Sequence, residues 1–342
     1  MKELRAVDKD TLAWHESERP ELTHGYLRVV PCFSAAKHGT ELAFLTGKVL
    51  QRGPWDPELQ LHRRDTGPRR PYPFALGNAT VGNVAETGPG VTSFASGDRV
   101  LVEEVPFRDE HVVPAVKCHR IPEQMSWKSA VCLDPGVFAL GAVRDGHVRP
   151  GDRVAVFGMG AIGLMAVQFC RLAGATLVVA VEPDAQRRTV ARDLGADVVV
   201  DPTACDIGLE IRQATGRQGA DVCIEFSGSV QALQHAIRGV AFGGNVVCGA
   251  FPGPYPAGLD LGAEAHINTP NLIFSRACSD PNRDHPRWDL RRIKDCCLQW
   301  LVAGKATGEG IIGPVVPFNS LLTEYPRIVP DPRLGVKLGV AH

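Results

Sequence analysis

The sequence predicts an α/β protein in which a doubly wound, parallel-sheet domain is inserted into a mostly β domain. Three observations lead to this prediction. A glycine-rich turn joins the apolar run Val154–Phe157 to a helical pattern over 161–173, and apolar runs continue to alternate with helical segments as far as residue 275. Residues 1–140 instead consist of short segments separated by Gly and Pro. A chain of 342 residues, 44% of them hydrophobic, has room for two domains with separate cores.

The parallel sheet is predicted from six short apolar runs. Such runs, alternating with helices, are typical of parallel strands covered on both faces. The runs are Val154–Phe157, Leu177–Val181, Val198–Val200, Val222–Phe226, Val246–Cys248 and Leu272–Phe274. Helical segments at 161–173, 184–194, 206–216 and 230–241 separate the first five. We therefore assign residues 141–275 to the parallel-sheet domain. Residues 1–140 and 276–342, with a further helix over Trp288–Ala303, form the β domain.

The first run ends in the pattern G-x-G-x-x-G, which typically binds a dinucleotide pyrophosphate at a helix N-terminus. The first glycine permits a tight turn, the second lets the backbone approach the phosphates, and the third allows helix and strand to pack closely. The second run is followed by Glu182, at the spacing where a carboxylate accepts the ribose diol of NAD and repels the 2′-phosphate of NADP. The alternative is a glycine-rich turn with no ligand. The predicted NAD-binding residues of this turn are Gly158, Met159, Gly160, Ala161, Ile162 and Gly163.

Further cofactor contacts are expected after other strands, because ligands of doubly wound sheets bind beyond the carboxyl ends of the strands. The residues concerned are Ser227, Gly249, Ala250 and Ala277. Arg187 follows Glu182 on a helix, and we assign it to the cofactor site. The alternative for Arg187 is a solvent-facing charge, which is the usual role of an arginine on a helix.

Composition limits the classes of partner and the compartment. The formal net charge is −1, from 37 basic and 38 acidic residues, so nothing indicates a nucleic-acid partner. No apolar stretch reaches the length of a membrane span, and the N-terminal residues lack a signal-peptide pattern. The ten cysteines include no C-x-x-C pair, and Cys132, Cys170, Cys223 and Cys248 lie in apolar runs. We expect a cytoplasmic protein without a membrane partner.

Four segments together resemble the medium-chain dehydrogenase/reductase superfamily over essentially the whole chain. They are Ser34–Leu42, Gly77–Val91 with Gly97–Val100, Leu133-Asp134-Pro135, and Pro150–Val154 leading into the glycine turn. A weaker similarity links His285–Asp289 to polyol- and cyclitol-type dehydrogenases. The resemblance implies a Rossmann dinucleotide domain inserted into a GroES-like catalytic domain. It also implies a homodimer in which the strand Leu272–Phe274 of each subunit joins the two parallel sheets.

Zinc alcohol dehydrogenases of this superfamily bind their catalytic metal through a Cys, the His of a G-H-E motif, and a Cys or acid near the linking helix. The matched positions in this chain hold His38, Asn78 and Asp134, and Ala79 replaces the acid of G-H-E. A neutral amide is a poor zinc ligand, and two remaining ligands fall short of the usual three. The cysteines of the family's structural zinc lobe are also missing from residues 80–110. We therefore expect a zinc-independent protein.

The resemblance also implies which side chains handle the substrate proton. Thr40 matches the family hydroxyl that hydrogen-bonds the substrate oxygen, and His38 is a candidate general base because imidazole titrates near neutral pH. Asp134 is expected to orient the imidazole, and Asn78 to donate to the developing oxygen. Structural roles stay open for three of them: His38 as a buried histidine, Asp134 as a helix N-cap, and Asn78 as a turn residue.

These assignments predict an NAD-dependent oxidoreductase that interconverts a secondary alcohol and a ketone without zinc. The polar side chains at the predicted site suit a small hydroxylated substrate such as a sugar, polyol or cyclitol. Two alternatives remain: reduction of an activated C=C bond, as in zinc-free enone and quinone reductases, and a non-catalytic NAD-binding protein. The first generally uses NADPH, which Glu182 disfavours, and the retained Thr40 argues against the second.

Overall fold

The structure is a computed structural model that describes residues 1–47, 52–63, 72–255 and 257–342. The chain forms two compact units, and each is described by itself. The first comprises residues 1–127 and 312–342, and the second comprises residues 128–311. Because the second unit is a single continuous segment placed between two parts of the first, the predicted insertion of one domain into the other is confirmed in outline.

The first unit is built mainly from antiparallel strands. Its elements before residue 128 are β1 (Lys2–Asp8), β2 (Thr11–Glu16), β3 (Tyr26–Ala35), α1 (His38–Leu45), β4 (Trp55–Asp56), β5 (Leu61–His62), β6 (Phe74–Ala75), β7 (Ala79–Thr87), β8 (Arg99–Glu103), β9 (His111–Pro114) and β10 (Cys118–Arg120). Short 3₁₀ turns lie at Ala115–Lys117, Phe318–Ser320 and Pro332–Leu334. The C-terminal segment adds β17 (Ile312–Pro317), α10 (Leu321–Ile328) and β18 (Lys337–Ala341).

Seven of these strands form one sheet, in the order β10-β8-β7-β3-β18-β17, with β9 paired to β3. All described pairs of this sheet are antiparallel except β17 with β18. The C-terminal strand β18 lies beside β3, so the two ends of the unit share one sheet. One core of this unit contains Leu4, Leu76 and Phe107 together with Tyr325 and Ile328 of α10. The mostly β character predicted for this region is therefore confirmed.

The second unit alternates strands and helices. Its strands are β11 (Arg153–Phe157), β12 (Leu177–Val181), β13 (Val198–Val200), β14 (Ala220–Glu225), β15 (Val240–Cys248) and β16 (Asn271–Phe274). Its helices are α2 (Trp127–Ala130, which begins at the boundary), α3 (Leu133–Asp145), α4 (Ala161–Leu172), α5 (Ala185–Asp193), α6 (Ile207–Ala214), α7 (Val230–Gly239), α8 (Glu264–Asn268) and α9 (Leu290–Val302). The six strands are parallel, in the order β13-β12-β11-β14-β15-β16. This is the doubly wound order of a dinucleotide-binding sheet, and the predicted fold class is confirmed.

The compact units do not end where the sequence placed the domain bounds of 141–275. Two helices that flank that range pack onto α4 and extend the second unit to residues 128–311. A Cβ atom added to Gly136 in α3 would lie 3.4 Å from Met165 Cε in α4. In α9, the Trp300 ring centroid lies 5.2 Å from that of Phe169. Apolar contacts of these helices, which the alternation of strands and helices does not encode, account for the difference.

The helices and the cysteines bear on the expectations drawn from composition. Among the helices of the described chain, none is long and apolar enough to cross a membrane. None of the ten cysteines forms a disulfide bond. Burial raises the pKa of Cys118 and of Cys170 to about 12, so these two side chains act as small apolar groups and not as nucleophiles.

Candidate cofactor site and catalytic segment

The glycine turn has the geometry that a dinucleotide pyrophosphate requires. Gly158 adopts a φ of +86°, and a Cβ atom there would lie 2.8 Å from the backbone nitrogen of Ser227. A Cβ atom on Gly163 would lie 1.9 Å from the carbonyl oxygen of Gly158, so the helix and the turn touch directly. Gly160 is the N-cap of α4, and a Cβ atom there would meet nothing within 4 Å. Close packing therefore requires glycine at positions 158 and 163, while Gly160 faces open space where phosphate oxygens fit.

Glu182 ties the glycine turn to the end of the neighbouring strand β12. Its side chain is only 5% exposed, and Oε2 accepts a hydrogen bond of 2.7 Å from the backbone N–H of Met159. Oε1 accepts one of 3.1 Å from the N–H of Asp184. Each carboxylate oxygen keeps a second lone pair, which suits the hydroxyls of a ribose diol. The residues present therefore fit a dinucleotide with a free diol.

The two arginines after Glu182 have different surroundings. Arg188 pairs with Asp201 at 3.0 Å between Nη2 and Oδ2, and its Nη1 donates to the carbonyl oxygens of Glu182 and Pro183. This guanidinium is thus engaged by protein groups. Arg187 donates its backbone N–H to Oδ1 of Asp184, the N-cap of α5, at 2.9 Å. The role of Arg187 at the cofactor site stays a prediction.

The loop after β14 is organised by a buried carboxyl that the sequence analysis did not single out. Glu225 is 2% exposed, and its Oε1 accepts hydrogen bonds from the N–H of Ser227 at 2.5 Å and of Gly228 at 2.9 Å. The Ser227 hydroxyl also donates to this oxygen and accepts from the N–H of Ser229. The Ser227 hydroxyl is therefore bonded to protein groups, while the backbone of Ser227 lies against Gly158. An acidic residue within the otherwise apolar run Val222–Phe226 is the signal that would have identified Glu225.

The remaining predicted cofactor residues lie after β15 and β16. The N–H of Gly249 donates to the carbonyl oxygen of Glu225 at 2.9 Å, and a Cβ atom on Gly249 would lie 2.4 Å from the Phe226 ring. Ala250 lies next to the loop after β14, since a Cβ atom on Gly228 would be 3.6 Å from that of Ala250. Ala277 is 3% exposed and packs against α3, where a Cβ atom on Gly141 would lie 2.7 Å from its own. The methyl group of Ala277 is thus covered by protein.

The predicted proton-handling residues of the first unit lie at the start of α1. His38 is its first residue, and its Nε2 accepts a hydrogen bond of 2.9 Å from the backbone N–H of Leu338. An acceptor nitrogen carries no proton, so the neutral ring has its hydrogen on Nδ1. Thr40 follows two positions later on the same helix. Side chains at i and i+2 do not face each other on a helix, so a proton path between the two needs a bridging hydroxyl or water.

Asn78 and Asp134 lie in different units. Asn78 is 3% exposed and directly precedes β7. Asp134 is the second residue of α3, whose N-cap is Cys132 and has no side-chain capping bond. The suggestion that Asp134 is the N-cap of this helix is therefore wrong by two positions. An acid in the first turn is still favourable, because the helix N-terminus carries partial positive charge. The proposed catalytic roles of both residues stay predictions.

The residues matched to the family's metal ligands do not fit a three-ligand zinc centre. Asn78 offers a neutral amide, and Nε2 of His38 already accepts a backbone N–H. Within the described ranges, no group of three or more His, Cys, Asp or Glu side chains is placed to hold a metal ion. No chemical step is therefore derived through zinc, and zinc independence stays a prediction.

Comparisons with known proteins agree with the fold and with the motifs. The alcohol dehydrogenase GroES-like domain matches residues 49–176, and the zinc-binding dehydrogenase family matches residues 161–278. D-guloside 3-dehydrogenase of Escherichia coli K12 is 41% identical over 349 residues, covering 99% of each chain.

Solved structures share the fold over the whole chain. Galactitol-1-phosphate dehydrogenase from Escherichia coli superposes with a TM-score of 0.80 at 17% identity, covering 100% of both chains. A proposed zinc-binding dehydrogenase from Sinorhizobium meliloti 1021, bound to NADP, gives a TM-score of 0.79 at 22% identity and covers 100% of this chain and 99% of that one. At these identities the likeness concerns the fold. Together with the full-length relative, it shows that the chain is an oxidoreductase belonging to the medium-chain dehydrogenase/reductase superfamily.

Proposed function

We propose that the protein is an NAD-dependent dehydrogenase that oxidises a secondary hydroxyl of a polyhydroxylated sugar derivative, or reduces the matching ketone, without zinc. The observation that carries the substrate class is the 41% identity, over 99% of both chains, to a D-guloside 3-dehydrogenase. A glycoside with a free hydroxyl at carbon 3 is therefore the first substrate to test. Polyols and cyclitols present the same secondary alcohol.

The preference for NAD rests on Glu182. Its buried carboxyl is fixed by the N–H groups of Met159 and Asp184, so it does not rotate away from a ligand at low cost. A 2′-phosphate at this position would meet negative charge, whereas a diol would donate hydrogen bonds to it. Arg188, which donates to the carbonyl oxygen of Glu182, is paired with Asp201. These contacts support NAD over NADP.

Chemistry requires the loss of a hydride and of a hydroxyl proton from the same carbinol group. Bound NAD supplies the hydride acceptor. Thr40 is proposed to bind the substrate hydroxyl, and His38 to take up its proton. For His38 to accept at Nε2, its bond with the N–H of Leu338 must open; a hydroxyl of the substrate or a water then connects it with Thr40. Asn78 is proposed to donate to the substrate oxygen, and Asp134 to favour the charged imidazole.

The proposal is tested by steady-state assays of the purified protein. The panel contains methyl glycosides of several hexoses, including a guloside, together with polyols, cyclitols and enones, each with NAD⁺, NADP⁺ or their reduced forms. We expect NAD⁺-linked oxidation of at least one glycoside, unchanged after dialysis against a strong chelator, and no stoichiometric zinc by elemental analysis. Reduction of enones by NADPH as the main activity would instead support the alternative, and activity lost with a tightly bound zinc would contradict zinc independence.

We also propose that the protein works in the cytoplasm. Ten cysteines without a disulfide bond are typical of a reducing compartment. Fractionation of the source cells, followed by detection of the protein with an antibody, tests this. Recovery in the membrane or secreted fraction would contradict it.

A further inference from the structure

A buried carboxyl joins three separate parts of the first unit. Glu41 of α1 is 6% exposed, and its Oε1 accepts a hydrogen bond of 2.6 Å from the backbone N–H of Gly77. Its Oε2 accepts one of 2.5 Å from the hydroxyl of Tyr325 in α10, whose side chain is 1% exposed. Glu41 therefore connects the helix that carries His38 with the turn before β7 and with the C-terminal helix.

Two of the three connected parts hold the predicted catalytic side chains of this unit. His38 and Thr40 share α1 with Glu41, and Gly77 directly precedes Asn78. Gly77 packs closely against its neighbours, because a Cβ atom there would lie 2.3 Å from the backbone nitrogen of Phe107. The bond from Gly77 to Glu41 thus ties α1 to a closely packed segment that leads into β7.

The C-terminal strand β18 fixes the start of the same helix. The N–H of Ala36 donates to the carbonyl oxygen of Leu338 at 3.1 Å, and the N–H of Leu338 donates to His38. Lys337 is 4% exposed, and its ammonium group donates to the carbonyl oxygen of Ala36. The helix α1 is therefore held from two sides, by β18 at its start and by Tyr325 at Glu41.

The electrostatic balance around Glu41 makes this arrangement sensitive to the loss of one partner. Burial raises the pKa of Glu41, while the hydrogen bonds from Tyr325 and Gly77 and the charge of Lys337 act in the opposite direction. Burial, followed by the charge of Glu41, raises the pKa of Tyr325. A buried polar group that loses its partner keeps its desolvation penalty without compensation. Removing the Tyr325 hydroxyl should therefore displace Glu41 and the helix that carries it.

We propose that Glu41 and Tyr325 form a positioning pair that sets His38, Thr40 and Asn78 in place for catalysis. Neither residue is expected to touch the substrate. The pair acts by holding the helix and the turn in one arrangement, and misplacement of reacting groups by about 1 Å can lower a rate by ~100-fold. The kinetic part of the proposal rests on the proposed dehydrogenase activity, whereas the positional part does not.

The test compares Tyr325→Phe, Glu41→Gln and the double variant with the unmodified protein. Tyr325→Phe should lower kcat by ~10- to 100-fold while the KM for NAD⁺ stays within about twofold, because the cofactor residues lie in the other unit. Hydrogen–deuterium exchange should rise in peptides covering 36–45 and 76–80 and stay unchanged at 158–163. In the double variant the effects should be smaller than the product of the single effects, because both changes act on the same bonded pair.

Tyr72→Phe is the matched control. The Tyr72 hydroxyl donates to the carbonyl oxygen of Leu45 at 3.0 Å, so it bonds the far end of the same helix. This variant should leave kcat within about twofold and exchange at 76–80 unchanged. An equal loss of kcat in both tyrosine variants, or a parallel loss of NAD⁺ affinity in Tyr325→Phe, would overturn the proposal. Unchanged exchange at 36–45 and 76–80 in Tyr325→Phe and Glu41→Gln would overturn it as well, even if no substrate is found for the enzyme.

Discussion

Replacing the single residue Glu182 tests the preference for NAD over NADP directly. Glu182→Ala removes the carboxyl that Met159 and Asp184 hold at the end of β12. Charge repulsion of a 2′-phosphate disappears with it, and so does the acceptor for the ribose diol. We expect NAD⁺ to bind roughly 10-fold more weakly and the preference over NADP⁺ to shrink, since one lost charged hydrogen bond costs about 1.5–3 kcal/mol. Titration of both cofactors by fluorescence measures this; NADP⁺ binding as tightly as NAD⁺ to the unmodified protein would refute it.

His111 makes stability depend on pH. It is 1% exposed, and within the described chain neither ring nitrogen has a hydrogen-bond partner. Burial, with the charges of Arg108 and His342, lowers the pKa of His111 to about 3, and burial lowers that of His342 to about 4. The unfolded chain takes up these protons at an ordinary pKa near 6.5, whereas the folded chain does not. We therefore expect these two histidines to cost no stability above about pH 6.5 and to destabilise the fold increasingly as the pH drops from there towards 4.

The expected slope is up to about 1.4 kcal/mol per pH unit for each histidine that titrates only in the unfolded state. Urea unfolding at several pH values between neutrality and the acid limit measures it. In His111→Leu the slope between about pH 6.5 and 5 should decrease by the contribution of one proton, and the contribution of His342 should remain. An identical pH dependence in this variant would show that His111 is charged in the folded protein.

Among the strands and helices, those with a pattern in consecutive residues could be predicted from the sequence. The six apolar runs became the six parallel strands, because continuous burial on both faces leaves a signal in consecutive residues. The tie between α1 and β18 left no such signal, since the bond from Leu338 to His38 spans 300 positions. The helical start at His38 was likewise not expected. Local patterns therefore predicted the glycine turn at the start of α4, whereas the surroundings of His38 depend on contacts with residues far away in sequence.

Glu225 organises the loop after β14, so we predict that replacing it disturbs this loop. Burial raises the pKa of its carboxyl, while the hydrogen bonds from Ser227 and Gly228 act in the opposite direction. Glu225→Gln should loosen this loop, which lies against Gly158, and weaken NAD⁺ binding by ~10-fold. Glu210→Gln on α6 is the control and should bind normally. Isothermal titration compares the two variants, and equal affinities in both would show that the loop is held by other contacts.

At the scale of the whole molecule, the composition of the chain and its glycine turn indicated two domains, and the structure contains two compact units. The bounds of the units were harder to predict. Helices α3 and α9 lie outside the run of alternating strands in sequence, yet their apolar faces pack onto α4. The amphipathic pattern of a helix shows which face is buried but not which partner covers it.

The strand β16 carries the prediction of how subunits assemble. It is an outer strand of the six-stranded sheet and pairs only with β15 among the described strands. Leu272 is 45% exposed and Phe274 is 69% exposed, and Ile267 nearby in α8 is 71% exposed. An unpaired apolar edge is a liability that pairing with a second copy removes. We therefore expect a homodimer in which the β16 strands of two subunits meet across a twofold axis.

Light scattering and sedimentation of the purified protein measure the assembly. The unmodified chain should run as a dimer at micromolar concentration, and Leu272→Lys/Phe274→Lys should run as a folded monomer, because two lysines on each edge repel across the axis. Val116→Lys is the control: Val116 is 91% exposed but lies in the other unit, so this change should leave the dimer intact. A monomeric unmodified protein would contradict the prediction, and a dimer that survives both lysines would place the interface elsewhere on the molecule.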